Sequence, residues 1–442
     1  MKSSFELLTP AVIAVVVAAA LAGCAVNPVT GETEFSLISP AEEIEIGRRQ
    51  FGPAQQMQGG QYRADPVLTE YVREVGNRLA AQAPRTRGAS LPYEFVVLNN
   101  SVPNAWALPG GKIAINRGLL TELNSEAELA AVLGHEIAHA AARHGAQQAS
   151  WNILLQGTLG AVALGTSDST VVGAAQLGSN LITQKYGRDA EREADLYGTR
   201  FMAAAGYDPQ AAVALQETFV RLSQGGRQDF ISGLFSSHPP SVERVEKNRA
   251  LVASLRREGY TGGEVGRASF EVAMAHLRSA RAAYEAYDAA LKALAEGHEQ
   301  AAAEKLSLAL EIEPADAMLH GFRGDIRYLQ NRYADAMINY DRAITLDAEF
   351  YRYYLMRGLA RVDLDGRSGM PEARADLERS LKLLQTAVAH LALGKIAEAR
   401  GDDENAYAHY EEAGSAQTEV GREARERARV LLKRRRSYGA RS

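Results

Sequence analysis

The stretch Leu133-Gly134-His135-Glu136-Ile137-Ala138-His139-Ala140 decides the reading of this chain, because it sets two histidines four residues apart with a glutamate beside the first. On an α-helix residues at that spacing share a face, so His135 and His139 can point two imidazoles at one ion while Glu136 reaches a water there. The helix is marked at its start by a capping box, Ser125 with Glu128 three residues on. Leu129, Val132, Leu133, Ile137 and Ala140 give it an apolar stripe.

Catalytic zinc usually takes three protein ligands and keeps a fourth position for water. The metzincin pattern needs Gly at 142 and His at 145; those positions hold Ala142 and Gly145, which excludes that class. A second helix, expected over 189–204 and ending before Gly206 and Pro209, offers Glu191 as the third ligand. Asp195 lies one turn along the same face, where a carboxylate accepts a hydrogen bond from a ligand imidazole and fixes its tautomer. Glu193 points elsewhere and is the weaker ligand candidate. His144, five residues after His139, reads as turned away from the metal face and structural.

His238 precedes two prolines that start a helix running through Val242, Val245 and Leu251. Two roles stay open for it: donor to the oxyanion of a tetrahedral intermediate, or occupant of the open zinc position in a latent enzyme. Arg244 is a candidate helper at the oxyanion or behind a ligand. Segments 93–99 and 112–116 read as strands separated by the Pro109-Gly110-Gly111 turn, forming a small sheet beside the zinc helix whose edge can take a substrate strand.

Together, the motifs at 135–139 and 191–195, the stretch Asn104-Ala105-Trp106-Ala107-Leu108-Pro109-Gly110-Gly111, and Ser237-His238-Pro239-Pro240-Ser241-Val242-Glu243-Arg244 resemble the gluzincin metallopeptidases of the CAAX prenyl protease, HtpX and BepA type. The resemblance covers residues 40–250. It implies that His135, His139 and Glu191 bind one Zn2+ per chain, that Glu136 is the general base and that His238 lies close to the metal. It also places the substrate-binding edge near Asn104 and Ala105.

The N-terminus supplies a location. Lys2 is followed by an apolar stretch and then Leu21-Ala22-Gly23-Cys24, a secretory signal ending in a bacterial lipobox. Cys24 is the only cysteine, so it forms no intramolecular disulfide and stands where lipidation requires it. Ala25 after it resembles outer-membrane sorting. A second apolar region, 153–182, is broken by Thr166-Ser167-Asp168-Ser169-Thr170 into halves short of the ~20 residues that span a bilayer, and is expected to be a helical hairpin over the active site.

The last third is rich in Ala and Tyr with a period of about 34 residues. Ala302, Leu306 and Ala309 recur as Ala336, Tyr340 and Ala343, and Gly324 recurs as Gly358 and Gly394, the last followed by Ala406, Tyr410 and Ala413. These resemble tetratricopeptide repeats, which narrows the likeness to the BepA-like periplasmic protease-chaperones. A net charge of −5 gives no sign of nucleic-acid binding, and Lys433-Arg434-Arg435-Arg436 reads as a solvated tail.

The expected fold is mainly α: a helical zincin-type metallopeptidase domain with a small β-sheet, followed by an α-solenoid. The divisions are a signal peptide at 1–23, a lead segment and helix at 24–60, the peptidase domain at 61–250, a helical linker at 251–282 with its hinge among Gly259, Gly262, Gly263 and Gly266, repeats at 283–420 and a basic tail at 421–442. The expected activity is zinc-dependent endopeptidase cleavage of misfolded or misassembled envelope proteins. The repeats would dock substrate or the outer-membrane assembly machinery, and lipidated Cys24 would hold the membrane. The alternative from a different class is a chaperone or assembly scaffold with little proteolysis.

Overall fold

The structure is a computed structural model that describes residues 24–84, 91–155, 186–226, 233–366 and 370–439. The signal segment at 1–23 and nearly all of the expected hairpin at 153–182 lie outside the described residues.

The described residues open with a two-stranded antiparallel hairpin, β1 (Cys24–Val26) and β2 (Thr33–Phe35), and then α1 (Pro40–Met57) and α2 (Pro66–Ala80). Ser39 and Glu42 cap α1 reciprocally, so two of its free amides are satisfied locally. Strands β3 (Glu94–Leu98), β4 (Ala105–Leu108) and β5 (Lys112–Asn116) form one sheet in the order β3-β5-β4. The two expected strands do pair, but in parallel. Between them 105–108, expected only as an edge segment, is a strand in its own right and pairs antiparallel with β5. One face of the sheet, with Phe95, Val97, Ala105, Ala107, Ile113 and Ile115, joins the main core. The other, with Val96, Leu98, Trp106, Leu108 and Ala114, is covered by Phe51 and Ala54 of α1. Burial on both faces explains why these strands read as apolar runs instead of alternating ones.

After the short α3 (Arg117–Leu120) comes α4 (Glu126–Ala141), which carries the first motif, then α5 (His144–Leu155). Only half of the expected capping box forms. Ser125 Oγ accepts from Glu128 N at 3.2 Å, but Glu128 Oε2 accepts from Asn124 N at 2.8 Å, one residue upstream of the cap. The second motif lies on α6 (Arg188–Ala204), and α7 (Gln210–Gln224), α8 (Leu234–Ser237) and α9 (Val242–Arg257) close the unit.

The glycine-rich stretch read as a hinge is instead fastened down. Glu264 N donates to Gly206 O at 2.8 Å, Asp208 N to Glu264 O at 3.1 Å and Ala127 N to Val265 O at 3.1 Å. The helix that follows, α10 (Arg267–Ser279), buries Phe270, Ala273, Met274 and Leu277 in the main core. What looked like a linker is therefore an integral wall, because its apolar stripe needs cover that solvent cannot give.

The repeats are the helical pairs α11 (Arg281–Ala295) with α12 (Glu299–Ile312), α13 (Ala317–Leu329) with α14 (Tyr333–Leu346), α15 (Tyr351–Asp365) with α16 (Met370–Leu383), and α17 (Ala387–Ala399) with α18 (Asp403–Gly414). Their period has a steric basis. A Cβ on Gly324 would meet the Tyr340 ring at 2.5 Å, and one on Gly394 the Tyr410 ring at 2.4 Å, so each glycine makes room for the tyrosine of its partner helix. The region expected as a tail from 421 belongs to α19 (Glu419–Gly439), which buries Ala424, Ala428 and Leu431 against the last pair.

The solenoid is joined to the rest of the molecule by Tyr284 and Met318, which pack into the main core, and by polar contacts. Gln56 of α1 donates to Glu349 O at 2.7 Å and accepts from Tyr351 N at 2.9 Å, while Arg63 pairs with Asp347 at 3.0 Å. Among the described residues no helix is long and apolar enough to cross a membrane.

Candidate active site

The N-terminus of α4 is pinned by Glu126, whose carboxylate accepts from Tyr71, Tyr207 and Ser269, each at 2.7 Å. Burial pushes this carboxyl upward, but those hydroxyls outweigh it and hold it below the usual carboxylate range. One face of α4 then meets α6, and the imidazoles and carboxylates converge between them.

His135 Nε2 lies 3.0 Å from His139 Nε2 and 3.3 Å from His238 Nδ1. Glu191 Oε1 is 2.9 Å from His238 Nδ1 and 3.3 Å from His139 Nε2. One atom from each of His135, His139, Glu191 and His238 fits within a mutual spacing of 4.8 Å. Three imidazole nitrogens and a carboxylate oxygen facing one another is a donor set in search of a cation, since lone pairs directed together repel unless an ion or protons intervene. Glu136 is almost wholly buried, with Oε1 3.6 Å from His238 Nε2 and Oε2 without a hydrogen-bond partner. Burial raises its carboxyl above the usual range. The residues fit zinc: nitrogen and oxygen ligands at tetrahedral-site numbers, with a buried acceptor beside them.

Each imidazole of α4 is also held from behind. His135 Nδ1 is 3.1 Å from Asp195 Oδ1. Asp195 in turn accepts from Arg244 Nε and Nη2 at 2.7 and 2.8 Å, and Arg244 Nη1 lies 2.9 Å from Glu191 Oε2. Burial opposes the Asp195 charge, but this guanidinium keeps its carboxyl below the usual range. Arg244 thus has its fork on Asp195 and Glu191, behind the centre.

Asn104 and Ala105 begin β4, whose other side bonds β5; Asn104 Oδ1 is buried without a partner, and Ala105 is buried. Cys24 begins β1. A pocket whose apolar wall is Val132, Leu215, Phe219 and Leu234 opens beside His135, Glu136 and His238.

Sequence reasoning missed His144. Its Nδ1 stands 2.8 Å from His139 Nδ1, because α4 stops at Ala141 and Arg143 adopts a left-handed φ of 64° that swings the next residue back. That turn is held by Arg143 bonding Glu43 and Ile38 O. An offset counted on a continuous helix could not find it. Tyr186, whose ring stacks 4.1 Å from that of His139, was missed as well.

A small sheet against a helix that presents two histidines, crossed by a second helix with a glutamate, defines a metallopeptidase centre. The model of peptidase family M48 matches residues 66–252, and the chain belongs to that family of zinc-dependent metalloproteases. It is 32% identical to Metalloprotease YcaL of Escherichia coli (strain K12), the match covering 40% of this chain and 70% of that protein. It is 28% identical to the beta-barrel assembly-enhancing protease of the same organism over 79% of this chain and 75% of that one. The mitochondrial metalloendopeptidase OMA1 of Arabidopsis thaliana is 34% identical, over 37% of this chain and 32% of its own.

Proposed function

We propose that this metalloprotease is an endopeptidase of the bacterial cell envelope, acting on misassembled outer-membrane proteins, held to the outer membrane through lipidated Cys24 and facing the periplasm. Its likeness to a beta-barrel assembly-enhancing protease over most of both chains supports the substrate class. The lipobox at 21–24 supports the anchor. The repeats would dock substrate or the assembly machinery.

In this reading His135, His139 and Glu191 hold the metal. Zinc, when bound, polarises the scissile carbonyl and makes water acidic enough to attack near neutral pH. Glu136 takes the proton of the attacking water on its unpartnered Oε2 and delivers it to the departing amine nitrogen. Arg244 holds Asp195, Asp195 orients His135, and neither needs to touch substrate. The edge of β4 at Asn104 and Ala105 receives the substrate backbone, and the pocket of Val132, Leu215, Phe219 and Leu234 suits a small apolar side chain beside the bond.

The observation that carries the reading is the convergence of His135, His139 and Glu191 with Glu136 buried beside them. A second observation favours latency: His238 Nδ1 stands inside the same cluster, 3.3 Å from His135 Nε2 and 2.9 Å from Glu191 Oε1. Cleavage of an unfolded protein by the purified chain, by Glu136→Gln and by His238→Ala tests both. Glu136→Gln should keep its zinc and lose activity by about 10²–10⁴-fold. His238→Ala should cleave faster if His238 blocks the centre, and slower if it serves the oxyanion. Unchanged cleavage by Glu136→Gln would overturn the mechanism.

A further inference from the structure

The side of His139 that faces away from the centre carries a line of polar groups that the reaction does not use. His139 directs Nε2 at the cluster, so an ion bound there leaves Nδ1 as the donor of this ring. That nitrogen meets His144 Nδ1 at 2.8 Å, and a donor there requires an acceptor. His144 Nδ1 is then the acceptor, which leaves its Nε2 as the donor. This Nε2 faces Glu193 Oε1 at 3.6 Å, an electrostatic contact rather than a closed hydrogen bond. The same oxygen accepts from Asn27 Nδ2 at 2.9 Å, and Asn27 Nδ2 lies 3.0 Å from Glu34 Oε1. Asn27 is itself fixed in the turn between β1 and β2, where its Oδ1 accepts from Val29 N at 2.9 Å and Thr30 N at 3.3 Å.

The two α4 imidazoles are thus backed differently. His135 has a carboxylate directly behind it, whereas for His139 the place is taken by a second histidine with a carboxylate beyond it. His144 is buried, so its ring has no solvent alternative to these partners. A histidine ligand free to rotate about χ2 presents its lone pair poorly, and a fixed partner on the opposite nitrogen removes that freedom.

We infer that His144 and Glu193 are positioning residues for the ligand His139, and that Asn27 extends their line into the N-terminal hairpin, making that hairpin part of the support of the metal centre. This rests on the assignment of His139 as a zinc ligand. It differs from mere core filling in what it does to zinc.

The test is zinc affinity of the full chain by competition with a chromogenic chelator, together with the visible spectrum of the cobalt-substituted protein. His144→Ala should bind zinc about 10–100-fold more weakly, as loss of such partners does elsewhere. Glu193→Ala should weaken zinc in the same direction and Asn27→Ala by less, while His144→Gln, which restores an acceptor and a donor, should recover part of the affinity. The cobalt bands should shift in His144→Ala. Variants that melt lower without metal yet hold zinc as tightly as the unaltered chain would overturn the inference. Should His144→Ala fail to fold, Glu193→Ala, at a half-buried position of α6, decides alone by the same readout. An unaltered chain that binds no zinc would overturn the ligand assignment, and this inference with it.

Discussion

Gly198 packs directly against the backbone of His135: a Cβ on Gly198 would stand 2.7 Å from His135 N and 2.8 Å from Gly134 C. The contact is mutual, since a Cβ on Gly134 would come within 2.8 Å of Gly198 O. Helices α4 and α6 therefore approach backbone to backbone at the level of the centre, and this proximity brings His135 and Glu191 into one cluster. Gly198→Ala should force the helices apart, costing about 1–3 kcal/mol of stability as overpacking does. Zinc affinity should fall with it. Chemical denaturation and chelator competition on the same protein check both, and an alanine variant with unchanged zinc affinity would show that the ligand spacing is set elsewhere.

Arg244 is buried with two nitrogens on Asp195 and a third near Glu191. Lysine keeps the charge but cannot present a planar fork to a carboxylate. Arg244→Lys should weaken zinc binding through His135. Arg244→Ala, which leaves two carboxylates buried beside each other without their cation, should cost about 3–5 kcal/mol. Urea midpoints and zinc content measure the pair.

Tyr284 of α11 joins the repeats to the peptidase unit. Its hydroxyl donates to Asp316 Oδ2 at 2.8 Å and touches Tyr62 Oη at 3.2 Å, and its ring lies 3.5 Å under the Arg117 guanidinium. Tyr284→Phe keeps the ring and deletes the bond, leaving Asp316 short of a donor. A loss of about 1–3 kcal/mol is expected, with activity on a short peptide preserved.

In the last repeat, His390 Nδ1 faces His409 Nδ1 at 3.0 Å, and His390 Nε2 meets Gln385 Oε1 at 2.9 Å. Burial, and then the neighbouring His409, pushes His390 down to about 4; burial also lowers His409, against the nearby Glu378 carboxylate. Both rings are thus neutral when folded and gain protons more readily when unfolded. Between pH ~6.5, the ordinary histidine value, and pH ~4 the unfolded chain binds more protons, so stability falls as pH falls through that window. Melting curves at pH 7.5 and 5 should show the drop, and His390→Gln should flatten it.

Much of the centre was legible in the sequence because helical periodicity is local. The i, i+4 spacing of His135 and His139 and that of Glu191 and Asp195 fix which side chains share a face, and the chemistry of the ligands narrows the rest. The repeats were legible for a similar reason, since the Gly324–Tyr340 contact recurs as Gly394–Tyr410 and small residues recur at the same positions of the units. What was not legible depends on contacts between distant segments. The parallel pairing of β3 with β5, the fastening of the 259–266 stretch to Gly206, Asp208 and Ala127, and the return of His144 through the left-handed turn at Arg143 all require knowing what lies alongside. Burial on both faces also hid β4, whose Ala-Trp-Ala-Leu run has no polar alternation to announce a strand.

The bonds from Gln56 and Arg63 to the segment between α14 and α15 have a consequence for how the molecule comes apart. A repeat array standing alone frays from either end, each unit being held only by its neighbours. Here the middle units are clamped to α1, and α1 in turn roofs the sheet beside the centre. Opening the middle of the solenoid therefore requires breaking these bonds first, and amide exchange should spread inward from α19 and slow where the clamp begins.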